Sequence, residues 1–108
     1  MNHLTRLTSN GPIGTLTLNR PEARNALSID LLGSLHDRAD EIARRDDLRV
    51  LILTGEGKSF CAGMDLDELR ATLGPDSDKV WADAAKLSAL YELIYTLSKP
   101  TIAAVNGA

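Results

Sequence analysis

Two rhythms of apolar residues alternate along the chain. Ile13-Gly14-Thr15-Leu16-Thr17-Leu18 steps by two and is rich in threonine and branched side chains, the pattern of a half-buried strand. His3 to Thr8 also reads as extended. Between them Asn10-Gly11-Pro12 is turn chemistry, because glycine accepts a positive φ and proline fixes its own. An antiparallel hairpin is predicted over His3–Thr8 and Ile13–Asn19. Asn19 to Ala26 then reads as loop, with Pro21 driving Arg20 away from helical geometry.

The rhythm then changes to steps of three and four. Leu32, Leu35, Ala39 and Ile42 form one apolar face, which predicts a helix over Ser28–Arg45. Ser28 can cap it and Asp30 lies in its first turn; Arg44 and Arg45 lie at its other end, so each charge suits the helix dipole. Val50-Leu51-Ile52-Leu53-Thr54 is continuously apolar, as in a parallel strand buried on both faces. After a break at Gly74-Pro75-Asp76, a second long helix is predicted over Ser77–Ser98. Its stripe is Val80, Ala84, Leu87, Tyr91 and Ile94, widened by Trp81, Leu90 and Leu97. Pro100 ends it, and Thr101 to Asn106 reads as another apolar strand. Hairpin, helix, strand, helix, strand is the order of a parallel α/β arrangement with a helical crossover. The final apolar strand has nothing after it to cover it, so the chain reads as the front part of something longer.

Length and composition narrow the picture. With 108 residues the chain holds one domain at most. A net charge of −3 argues against a nucleic-acid surface. A single cysteine excludes an internal disulfide and fits a reducing compartment. No apolar run reaches the ~20 residues of a membrane span, and Met1 to Arg6 lacks the apolar core of a signal peptide. The expectation is a cytoplasmic protein with neither nucleic-acid nor membrane partners.

Candidate chemistry concentrates in Gly57–Leu69, GKSFCAGMDLDEL. It follows an apolar strand, and strand carboxyl ends are where open α/β sheets bind ligands. Asp65 and Glu68 have capping-box spacing, so a short helix is expected from about Leu66. Ala62-Gly63 keeps side chains away, leaving backbone N–H groups free to face a ligand at a helix start. Such donors stabilise a carbonyl oxygen that gains negative charge. From shape alone, a tight strand-to-helix turn without catalytic work remains the alternative.

SFCAGMDL resembles the oxyanion-hole segment of the crotonase superfamily, the enoyl-CoA hydratases and isomerases. TLTLNRPEARNALS (Thr15–Ser28) is similar to that family's N-terminal segment, and SKPTIAAVNGA (Ser98–Ala108) to its central strand. The three stand in the family's order. The resemblance implies a crotonase-like α/β spiral of ββα units, of which residues 1–108 would be the N-terminal part of a single, incomplete domain. It implies an acyl-CoA substrate, no separate cofactor and no metal. Met64 would give its backbone N–H to the oxyanion hole. The second donor and the acid–base glutamates would lie beyond Ala108. Arg24, Ala26, Ala62, Gly63, Met64, Asp65 and Leu66 would border the CoA path. Relatives form trimers or pairs of trimers.

The reaction expected by resemblance is hydration of a 2-enoyl-CoA. Isomerase, hydrolase, dehalogenase and decarboxylase chemistry remain open, as does a non-catalytic CoA-binding or interaction fragment. Other side chains read more plainly. Cys61 is small buried filler with no activating partner, and His36 is a solvated surface residue. His3, near the terminus, is uninformative. Asp67 joins Asp65 and Glu68 in capping and dipole roles rather than in a metal cluster. Trp81 and Tyr91 read as core, in a region that borders the acyl pocket in the family. Arg44 to Asp47 read as a solvated helix end.

Overall fold

A computed structural model describes residues 2–72 and 77–108. After a short 3-10 turn at Asn2–Leu4 come β1 (Thr5–Asn10) and β2 (Ile13–Leu18), then a second 3-10 turn at Pro21–Ala23. Helix α1 (Ile29–Arg44), strand β3 (Val50–Gly55), short helix α2 (Leu66–Thr72), long helix α3 (Ser77–Tyr95) and β4 (Thr101–Ala103) complete the order. The four strands form one sheet in chain order. β1 and β2 are antiparallel, with Asn10 opposite Ile13 across a Gly11-Pro12 turn, and Gly11 takes φ +59°. β2, β3 and β4 run parallel, with Leu16 beside Leu53 and Ile52 beside Ile102.

The core lies between the sheet and α1. Leu16 and Leu18 from β2 and Leu51 from β3 meet Leu31, Leu32, Leu35 and Ile42 from α1, all buried. The Ser28 hydroxyl accepts the Leu31 N–H at 3.1 Å and caps α1 as its sequence predicts. At the other end Lys99 Nζ donates to the carbonyls of Ile42 and Arg45, which also accept the N–H groups of Arg45 and Leu48. Arg45 turns out of the helix to pair with Asp47 at 2.6 Å and with Glu41 at 3.8 Å, so the helix end is tied down rather than merely solvated. A buried hydroxyl pair, Thr5 Oγ1 to Ser34 Oγ at 2.7 Å, links β1 to α1.

Four expectations need correction. The first strand starts at Thr5 and runs to Asn10, because Asn2–Leu4 coils into a 3-10 turn. β3 is not buried on both faces: Leu51 is buried, while Ile52 and Thr54, which alternate to the opposite face, are half-buried. β4 stops at Ala103, and Asn106 leaves the sheet to bond the chain after β3. Trp81 and Tyr91 are not core: they are 74% and 57% exposed, while Leu90 is 2% exposed. At about 100° per residue, Trp81 sits on the side of the helix opposite Leu90. The packed stripe of α3 is Leu87, Leu90 and Ile94, continued by Leu97 beyond its end. The predicted break at Gly74-Pro75-Asp76 lies outside the described residues. No described helix is long and apolar enough to cross a membrane.

Leu90→Ala therefore removes the one fully buried side chain of α3 among the described residues and is expected to cost about 2–4 kcal/mol in urea unfolding. Trp81→Ala is expected to change stability by less than about 0.5 kcal/mol. The reverse ranking would return the core of α3 to its aromatic residues.

Candidate functional site

The chain between β3 and α2 is shaped by close approach and by bonds to the loop Arg20–Ser28. A Cβ on Gly55 would stand 2.5 Å from the Phe60 carbonyl oxygen, so only glycine lets the chain double back there. Gly63 takes φ +93°, a conformation that side chains disfavour. Three backbone bonds then tie the turn to the preceding loop: Ala62 N–H to Arg24 O at 3.0 Å, Leu27 N–H to Gly63 O at 2.7 Å, and Asp65 N–H to Leu27 O at 3.0 Å. Leu27 and Met64 thus pair like one rung of a parallel ladder. Arg24 and Asn25 take φ +53° and +56° to bring this about, and non-glycine residues held in this region cluster at functional sites.

Asp65 caps α2 through Oδ1, which accepts the Glu68 N–H at 3.0 Å. The capping box is only half formed. Glu68 Oε2 accepts the Ile29 N–H at 2.8 Å instead, because the Asp65 N–H is already committed to Leu27. One short acidic helix start therefore serves the N-termini of two helices. Asp65 Oδ2 meets Arg20 Nη1 at 2.7 Å, and the same Nη1 donates to the Ala26 carbonyl at 3.0 Å. The Glu68 N–H and the Arg20 guanidinium hold the Asp65 carboxyl below the usual carboxylate range.

Six of the seven residues expected to border a ligand line one open cavity of about 280 Å³: Arg24, Ala26, Ala62, Met64, Asp65 and Leu66. Gly63 lies between them and spends its carbonyl on Leu27. The Met64 N–H makes no hydrogen bond among the described residues. Met64 also lines a second cavity of about 170 Å³ between α2 and α3, with largely apolar walls that include Ile29, Leu69, Val80, Ala84 and Leu87. Trp81 and Tyr91 do not line it. Cys61 is half-buried and packs against the core as a free thiol. His36 is half-buried, in a groove shared with Lys86 of α3, rather than solvated. His3 is exposed.

Sequence reading missed Arg20, Asn25 and Asn106. Asn25 is fully buried, accepts the Arg20 N–H at 2.8 Å, and donates to Glu56 O at 3.1 Å and Ser59 O at 2.9 Å. Its only local signal is an asparagine, tolerant of positive φ, in a loop without periodicity.

The Asp65 pair generates a pH dependence. Its folded pKa lies below the unfolded one, so its stabilisation is complete above the unfolded value and is lost as pH falls through the folded value. Acid titration of stability is expected to show this loss below pH ~4, and Asp65→Asn is expected to remove it. Asp65→Ala also strips a cap and the partner of a largely buried arginine, at an expected cost of about 2–4 kcal/mol in urea unfolding. Equal acid sensitivity in Asp65→Asn and the parent would assign the effect elsewhere.

The family model for enoyl-CoA hydratase/isomerase matches residues 8–108. The chain is 42% identical over 94 residues to the enoyl-CoA hydratase EchA19 of Mycobacterium tuberculosis, spanning 85% of this chain and 35% of that one. It is 38% identical over 94 residues to the 1,2-epoxyphenylacetyl-CoA isomerase of Escherichia coli, spanning 86% of this chain and 36% of that one. The crystal structure of an enoyl-CoA hydratase from Shewanella pealeana superposes with a TM-score of 0.93 at 29% identity, over 99% of this chain and 40% of that one. The chain spans little more than a third of the length of these curated relatives. The match over residues 8–108 and the superposition make it a member of the enoyl-CoA hydratase/isomerase family, the crotonase superfamily, with that family's α/β fold.

Proposed function

We propose that this chain forms the thioester-binding part of an acyl-CoA enzyme that adds water to a 2-enoyl-CoA. One observation carries the reading. Met64 has a backbone N–H without an acceptor among the described residues, and it stands at the joint between an open cavity edged by Arg24, Asp65 and Asp67 and an apolar one. A thioester carbonyl set against that N–H has its CoA on the side of Arg24, Ala26, Ala62, Asp65 and Leu66. Its acyl group enters the cavity between α2 and α3. As water adds at the β carbon, electrons move onto the thioester oxygen, and an N–H donor already aimed there lowers the barrier. The α carbon then takes a proton and the carbonyl re-forms.

No side chain at this site is assigned the proton transfers. Asp65 is committed to Arg20 and the start of α2, and Glu68 to Ile29. The second oxyanion donor and the acid–base groups belong to residues outside the 108. The Phe60 N–H donates to the Ala108 carbonyl at 2.7 Å, which supports a donor arriving from the segment after β4. Isomerisation of the acyl group is the second reading, favoured by the likeness to the Escherichia coli isomerase. It uses the same stabilised enolate.

The chain of 108 residues by itself is expected not to consume crotonyl-CoA. Residues 8–108 exchanged into the corresponding part of EchA19 are expected to give a chimaera that hydrates it. Met64→Pro, which deletes the donor itself, is expected to lower kcat of that chimaera about 10²–10³-fold, while Met64→Leu keeps it within a few-fold. Unimpaired turnover in Met64→Pro would remove Met64 from the oxyanion hole.

A further inference from the structure

We infer that Asn106 is a positioning residue for the Met64 donor. This inference rests on the proposed role of Met64. Asn106 is exposed, yet its amide is engaged with the end of β3 and the turn that follows it. Nδ2 donates to Gly55 O at 2.9 Å and Gly57 O at 3.0 Å, with Ser59 O at 3.5 Å. Oδ1 accepts the Gly55 N–H at 3.1 Å and lies 3.3 Å from the Thr54 hydroxyl, whose single hydrogen it shares with the Ala104 carbonyl at 2.9 Å. A side-chain amide has two donor hydrogens and two acceptor lone pairs, so both donors and at least one acceptor site are held by the protein itself.

The contact continues along the backbone. Ala108 O receives the Phe60 N–H, and a Cβ on Gly107 would stand 2.0 Å from Lys58 O. The chain after β4 therefore lies flush against the entry to the turn that carries Met64. From the other side, Asn25 grips Glu56 and Ser59. Gly55 and Gly57 would give this segment wide backbone freedom, and the two asparagines withdraw it. The short stretch from Phe60 to Met64 then leaves a fixed point in a fixed direction. A misplacement of about 1 Å in such a site can cost about 10²-fold in rate, so the direction of an oxyanion donor matters.

The test follows the Met64 amide by nuclear magnetic resonance in the 108-residue chain, titrated with crotonyl-CoA. In the parent chain, the Met64 N–H is expected to shift downfield together with Leu66 and Asp67. In Asn106→Ala the Leu66 and Asp67 shifts are expected to persist. The Met64 shift at saturation is expected to fall roughly two-fold or more. Asn106→Asp, which keeps the acceptors and loses the donors, is expected to lie between. A full Met64 shift in folded Asn106→Ala overturns the inference. A parent chain in which Leu66 and Asp67 respond but Met64 does not overturns the proposed donor role itself, before any substitution, and the inference with it. Should Asn106→Ala fail to fold, hydrogen exchange at the Asn106 side-chain amide of the parent decides. Protection supports the clamp, and exchange at the rate of a free amide overturns it.

Discussion

The structure turns on the buried amide of Asn25. It has no exposed surface, and its three hydrogen bonds join the loop that follows β2 to the chain that follows β3. A buried amide without partners costs several kcal/mol, so a side chain in this place holds both segments or destabilises both. The bonds also dictate the neighbours. Gly55 must lack a Cβ, which would stand 2.8 Å from Asn25 Nδ2. Arg24 and Asn25 must bend into the left-handed region so that the Arg24 carbonyl reaches the Ala62 N–H.

Around that anchor the chain divides its interactions by kind. Leucines and Ile42 between α1 and the sheet supply the non-directional burial that drives folding. The site itself is built from directional bonds. Arg20, Asp65, Glu68 and the Leu27–Met64 rung fix where α1 and α2 begin relative to one another. The Arg20–Asp65 pair is largely buried, and the desolvation of two charges offsets much of their attraction. Its consequence is geometric: it brings the start of α2, the floor of the open cavity and the Met64 amide to one place.

The sheet edge at β4 has a different character. Tyr95 is 90% exposed, and Ile102 and Val105 lie open near it in the chain. β4 is the edge of the sheet among the described strands. Below it lies a groove walled by Leu16, Leu51, Leu53, Ile94 and Leu97. An apolar edge strand beside an apolar groove is a template for association. The core of this chain is thus closed on the side of α1 and open on the side of β4.

The sequence determined the elements whose signal is local. The two-residue step over Ile13–Leu18 made β2, the three- and four-residue step made α1, and Ser28 capped it. Asp65 marked the start of α2, and Gly57–Leu69 marked the turn that borders the open cavity. These follow from backbone propensity and side-chain period, which a residue and its near neighbours set. The tertiary structure decided the rest. Which face of α3 is buried depended on where α1 lies, so Leu90 went inside and Trp81 out. Whether Glu68 completed a capping box depended on Leu27 having taken the Asp65 N–H. Asn25, Arg20 and Asn106 bond partners from 5 to 52 positions away, and no local pattern carries that information. A hydrogen bond between distant residues is specified only when the hydrophobic core has brought them to within 3 Å of one another.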